Sequence, residues 1–283
     1  GHTCFPQTAQ ACQQQHHAQD GEQPADGHGY DTCIGYLKHG SNNGKEGLKV
    51  GSVGPITLVS VTANENALMG ADLHNHLTPH STQVPQAVNV VRSTFDGNNG
   101  AGLYILSQRK ITLNSVNASG NKAYDFREGV GVYAVNTSST VFSPLVVTGI
   151  NHFYSNASTG LYLESNGALT ISGVTSSMNG GHGMEAITGM GAIITTSLFG
   201  DNTNSGVVLD ANAVVKISGV TISKNGTASD ADGLVITDLG GKVYIYKNYI
   251  IQNGGWGMNI DVLNDLTDVY ISPYAVISEN DTA

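Results

Sequence analysis

The side chains able to do chemistry gather in a few short segments. His74 and His76 stand one residue apart in "LMGADLHNHLTPHSTQVPQ", Leu68 to Gln86, with Asp72 just before them and His80 just after. On an extended chain, alternate imidazoles point to the same side, which is how a transition-metal site begins. Two prolines and a polar composition make the segment a protruding loop, and histidines held only by water are the competing reading. A second group is Asp125, Arg127 and Glu128 in "KAYDFREGVG", and a third is Asp230 and Asp232 in "GTASDADG". Paired carboxylates on one side of a loop suit Ca2+ binding or acid–base work on a glycosidic bond. Solvated loop charges are the plainer account. The fourth group is aromatic: Tyr104, Tyr133 and Tyr162 each follow a regularly spaced glycine by two residues. Side chains of this kind contact sugars or protein partners.

Composition narrows what these groups could serve. Of 283 residues only 12% are charged, Gly numbers 36, and the formal net charge is −10. Nine lysines and three arginines spread over this length cannot neutralise a phosphate backbone, so nucleic acid is excluded as a partner. No apolar run approaches the ~18 residues of a membrane-spanning helix. Cys4, Cys12 and Cys33 all lie near the start, with neither a CxxC pair nor a CxxCH haem signature. One disulfide fits them, the third thiol being buried or joined to another chain. No leader peptide is visible, as in a mature secreted chain or a cytosolic one.

The elements that must position these residues follow from a repeat. Gly102, Gly131, Gly160, Gly183, Gly206, Gly233 and Gly257 open "GLYI", "GVYA", "GLYL", "GMEA", "GVVL", "GLVI" and "GMNI", at spacings of 29, 29, 23, 23, 27 and 24 residues. An asparagine closes each unit: Asn64, Asn98, Asn121, Asn156, Asn179, Asn202, Asn225, Asn253 and Asn280. Residues one and three after each glycine are apolar, the period of a strand with one buried face. A second alternation follows ("ITL", "LTI", "VKI", "VYI"), and a third precedes the asparagine. Three strands per unit of ~23 residues describe one coil of a parallel β-helix, whereas a propeller blade needs ~40–50. The spacing predicts about nine coils, with the closing asparagines stacked in a hydrogen-bonded ladder. Asn156, Asn225 and Asn280 are also glycosylation sequons, and a ladder position leaves no room for a glycan. Outward residues continue the tyrosine row as Glu185, Val208, Val235 and Asn259. The rings are expected exposed and roughly 5 Å apart. Val208 and Val235, exposed side by side, would mark a protein contact. Arg92, Arg109 and Arg127 fall in neighbouring coils and are expected on a common face.

From about Gly44 onward, the "GLYLESNGALTISGVTSSMN"-type coils resemble the right-handed parallel β-helix proteins of the pectate-lyase-like superfamily, and more narrowly repeat-only proteins of bacterial surfaces. The resemblance implies an all-β, right-handed solenoid, and a fold of this kind carries lyases, glycosidases, tailspikes and adhesins alike. It implies Ca2+-binding acids with a basic group in a lyase, and two or three carboxylates in a glycosidase. Neither arrangement is recognisable here, so Asp230, Asp232, Arg127 and Glu128 are weak catalytic candidates, and no cofactor is required beyond a Ca2+ or transition-metal ion at these loops.

The first segment and three insertions depart from the coil. Residues 1–43 are rich in Gln, His and Gly, a cap over the first coil or a segment joining subunits. Residues 44–283 form the solenoid, with insertions near 68–86, 122–130 and 226–232. The chain stops at "VISENDTA", where the next opening strand is due, and an open coil would stack head to tail on another copy. The sequence therefore reads as an extracellular structural or adhesive protein, self-associating and exposed at a surface. The alternative is a lyase, hydrolase or binding module acting on a polysaccharide.

Overall fold

The computed structural model describes residues 40–75, 84–123, 129–138, 141–226, 231–237, 240–261 and 268–280, together with the backbone of Cys33–Gly35. Each coil turns three corners. Leu161–Ser165, Leu169–Ser172 and Val174–Ser177 form one coil, and each pairs in parallel with its equivalent in the next coil. Stacking gives a nine-stranded front sheet, a ten-stranded back sheet and a six-stranded side sheet. The described elements are all strands and turns, and no helix among them is long and apolar enough to cross a membrane.

Inward residues fill one continuous core. Leu161, Leu163, Leu169, Ile171 and Val174 of this coil are all at most 1% exposed, as the alternation requires. The strand Cys33–Gly35 adds to the back sheet beside Ile56–Val59, so the solenoid begins before residue 44.

The asparagine ladder runs through ten residues. Each amide nitrogen donates to the next coil's amide oxygen from Asn43 to Asn66, Asn98, Asn121, Asn156, Asn179, Asn202, Asn225, Asn253 and Asn280, at 2.8–3.1 Å. The ladder residue of the early coil is thus Asn66, not Asn64. Two asparagines two residues apart satisfy the same period, and the sequence alone does not choose between them. Every ladder asparagine follows a residue in the left-handed region, with φ between 52° and 67°. That conformation turns the corner and aims the amide inward.

Asn64 belongs to a different row. Its Oδ1 accepts the Asp96 N–H at 2.8 Å, Asp96 Oδ1 accepts the Ser119 N–H at 2.8 Å, and Ser119 Oγ accepts the Tyr154 N–H at 3.1 Å. These side chains continue the side sheet where the early coils make only isolated bridges, before its first strand Asn151–Tyr154. Inside the same corner, residues alternate between coils as Val61, Ser93, Val116, Asn151, Val174, Ser197, Val220 and Asn248. Each valine N–H donates to the following coil's polar side chain, at 2.8–3.2 Å. Buried donors must be satisfied, and the alternation does so every second coil.

Candidate functional site

The front sheet places alternate residues of each strand outward. Its first outward row reads Lys49, Asp72, Tyr104, Tyr133, Tyr162, Glu185, Val208, Val235 and Asn259, each directly beside the next. A parallel row two residues further along holds His74, Leu106, Val135, Glu164, Ile187 and Asp210.

At the first end Asp72 is only 2% exposed, yet it carries two side-chain partners. Lys49 Nζ lies 2.7 Å from its Oδ2 and His74 Nε2 lies 2.7 Å from its Oδ1. A buried carboxylate needs such partners. With Nε2–H donating to Asp72, the lone pair of a neutral His74 is on Nδ1, the form in which an imidazole acts as base or ligand. Glu46, Met69 and Gly100 complete the walls of a small recess here. Asp72 and His74 are brought together, whereas His76 and His80 lie outside the described residues. Among the described residues no three His, Cys, Asp or Glu side chains converge to hold a metal.

Next comes the tyrosine stack. Tyr104 and Tyr133 lie 4.9 Å apart at 11°, and Tyr133 and Tyr162 lie 4.6 Å apart at 3°. The spacing fits the strand period, but Tyr104 is 6% exposed, packed with Met69 and Ala101 from the preceding corner. Rings stacked this closely cover one another's faces, so the row offers edges and hydroxyls to solvent instead of a flat platform.

Beyond the stack four titratable groups meet. The Tyr162 phenol is pushed up to about 12, first by burial and then by the Glu164, Tyr133 and Glu185 charges, with Glu164 also taking its hydrogen bond. Burial pushes the His182 imidazole below its ordinary value, against the pull of Glu185 and a backbone hydrogen bond with Ser205. Two carboxylates, a protonated phenol and a neutral imidazole thus share one patch. Sequence reasoning missed Glu164 and His182, although the outward positions of "GLYLES" and the corner before "GMEA" marked both.

The last stretch is structural. Val208 and Val235 are adjacent in register but only half-exposed. Asp232 accepts the Trp256 N–H at 2.8 Å and the Asn259 amide at 3.1 Å, which ties it into the turn. Asp230, Arg127, Glu128, Cys4 and Cys12 lie outside the described residues, and Cys33 is described only as backbone. Arg92 and Arg109 do not share a face: Arg92 turns the corner after the back-sheet strand Val88–Val91, while Arg109 sits between Leu103–Ser107 and Ile111–Asn114. A fixed repeat places equivalent positions together, and these two are not equivalent.

Residues 149–272 match a family model described as a right handed beta helix region. No curated protein and no solved structure matches the chain.

Proposed function

We propose that this right-handed parallel β-helix is an extracellular structural or adhesive protein that holds a linear polysaccharide along its front sheet. The supporting observation is the unbroken outward row from Lys49 to Asn259. Eight steps of ~4.8 Å give a track of ~38 Å, long enough for several sugar rings. Inward positions repeat a few apolar types, whereas the outward row passes in blocks from an ion pair to three phenols, a carboxylate and two valines. Such a track binds through hydroxyls, charges and ring edges, and requires no metal or cofactor. Association of copies along the coil axis belongs to the same reading.

Affinity electrophoresis against neutral and acidic polysaccharides tests it, with sedimentation for the association of copies. At least one polymer should retard the protein, and Tyr162→Ala with Glu185→Gln should weaken that binding about tenfold, the effect of losing about 1.4 kcal/mol. Free migration in every polymer would overturn the reading.

A second reading, a polysaccharide lyase or glycoside hydrolase, is favoured by the patch around Tyr162. Glu164 and Glu185 lie on adjacent strands, two positions apart along them, so their Cα atoms are about 8 Å apart from sheet spacing alone. Two outward carboxylates on neighbouring strands are the kind of pair that acts as acid and base in glycosidases. Incubation with polysaccharides, with and without Ca2+, while reducing ends and unsaturated products are followed, separates the two. Turnover abolished by Glu185→Gln would establish the enzyme.

A further inference from the structure

The back sheet changes character near its last strands. Its first outward row reads Thr57, Asn89, Thr112, Val146, Thr170 and Ile193, then Lys216, Tyr244 and Tyr270. The next outward row reaches Ser218 and then Tyr246. Threonine, asparagine, valine and isoleucine fill the row in six coils, so packing does not demand the change. Tyr244, Tyr246, Tyr249, Tyr270 and Tyr274, five of the chain's twelve tyrosines, are all more than a third exposed on this face and its corner. Three of its nine lysines join them: Lys216 lies 5.7 Å from the centre of the Tyr244 ring, Lys242 5.7 Å from that of Tyr270, and Lys247 5.1 Å from that of Tyr246.

We propose that this face is a binding site for an anionic polysaccharide, a polymer of uronic acid rings, separate from the front-sheet track. The charge is complementary and local: among the described residues of this face stand three ammonium groups and one carboxylate, Asp268, within a chain of net charge −10. Tyr244 and Tyr270 stack at 5.1 Å and 7°, under Lys216, so their faces are covered and their edges project. Edges and ammonium groups hydrogen-bond carboxylates and hydroxyls rather than stacking on apolar surfaces. The row advances by ~4.8 Å per coil, of the order of one charged sugar ring per step. Lys242 is held 2.8 Å from Asp268, which fixes its position and leaves Lys216 and Lys247 as the principal cationic contacts. A nucleic acid would bring denser charge against an acidic chain, and two or three lysines release too few counterions to hold it.

The test uses the full chain, polygalacturonate and its fully methyl-esterified form, which has the same backbone without the charge. Calorimetry should show binding to the acid form at least tenfold tighter than to the ester, and weakening with salt. Lys216→Thr with Lys247→Ser, and separately Tyr244→Thr with Tyr270→Thr, should each lower affinity at least tenfold. Thr occupies the same row in other coils and Ser the same corner, so circular dichroism and melting should stay unchanged. Equal binding of the two polymers, equal binding of single-stranded oligothymidylate, or affinity unaffected by both double substitutions would overturn the proposal. Loss caused instead by Tyr162→Ala would also overturn it, by assigning the binding to the front sheet. Tyr162→Ala thus keeps failure of this proposal distinct from failure of the front-sheet reading.

Discussion

A β-carbon on Gly183 would stand 2.7 Å from the side-chain nitrogen of Asn202, the ladder amide that closes the unit Gly183 opens. The same close approach recurs between the opening glycine of a unit and the asparagine that closes it, as for Gly160 with Asn179 and Gly233 with Asn253, at 2.7 and 2.6 Å. The two marks of the repeat in the sequence are therefore one device. Glycine is absent of side chain at the corner because the amide occupies that space.

Gly183→Ala should consequently destabilise the fold by about 1–3 kcal/mol, since neither the amide nor the Gly206 carbonyl 2.6 Å away can retreat without breaking the ladder. Thermal melting measures this, and Gly44→Ala provides the comparison at an exposed bend outside the ladder, where a β-carbon meets nothing within 4 Å. An equal loss at both positions would contradict the steric account.

Asn66→Ala and Asn64→Ala separate the two early rows. Asn66 accepts both the backbone and the side-chain nitrogen of Asn43 and donates to Asn98 in a buried corner. Removing it strands several polar groups, for a cost of about 2–4 kcal/mol. Asn64 accepts the Asp96 N–H at a half-exposed site, so its loss should cost about 0.5–1.5 kcal/mol. Denaturant titration of both variants checks the order.

Ser197→Val tests the alternating corner. The Val174 N–H donates to Ser197 Oγ at 3.2 Å, and valine in its place removes the acceptor from a buried donor. The cost should be about 1–3 kcal/mol even though valine occupies this row in the coils on either side. A neutral or stabilising result would show that a water takes over the bond.

How far these features were legible follows from their period. Strand alternation and the ladder repeat every coil, so their residue types recur and the sequence displays them. The left-handed residue before each ladder asparagine is equally regular in space, yet its identity runs through Asn, Glu, Gly, Ser, Met, Asp, Lys and Gln. Backbone conformation is demanded there and side-chain type is not. The valine–polar alternation repeats every second coil, and insertions between coils obscure it. The tyrosine row was legible, but the burial of Tyr104 was not, because Met69 and Ala101 cover it from a corner. Asp232 carried the mark of a loop carboxylate until the Trp256 N–H was seen on it.

Tyr162 offers an optical test of its surroundings. Its phenol, held up to about 12 against an ordinary value of 10.0, should ionise after ordinary tyrosines in a spectrophotometric titration. A folded-state value raised above the unfolded one gives stability that is present below pH 10 and is lost as pH rises through about 12. Glu185→Gln removes one of the charges responsible and should move that late ionisation downward. Tyr162→Phe should abolish it.

His182 sets an opposite dependence on the acid side. Burial lowers its folded-state value below the ordinary 6.5, so just below that pH the unfolded chain binds more protons than the folded one. Its contribution is therefore present above 6.5 and is lost as pH falls through the lowered value. Asp96 runs the other way. Burial raises its carboxyl, so its contribution is full below 3.8 and is lost as pH rises through the raised value. Glutamine at position 182 keeps a hydrogen-bonding side chain but does not titrate. Chemical denaturation of His182→Gln should accordingly show a flatter decline of stability with acidification from 6.5 than the unsubstituted chain. An identical decline in both would mean that His182 reaches solvent freely, and would remove it from the patch around Tyr162.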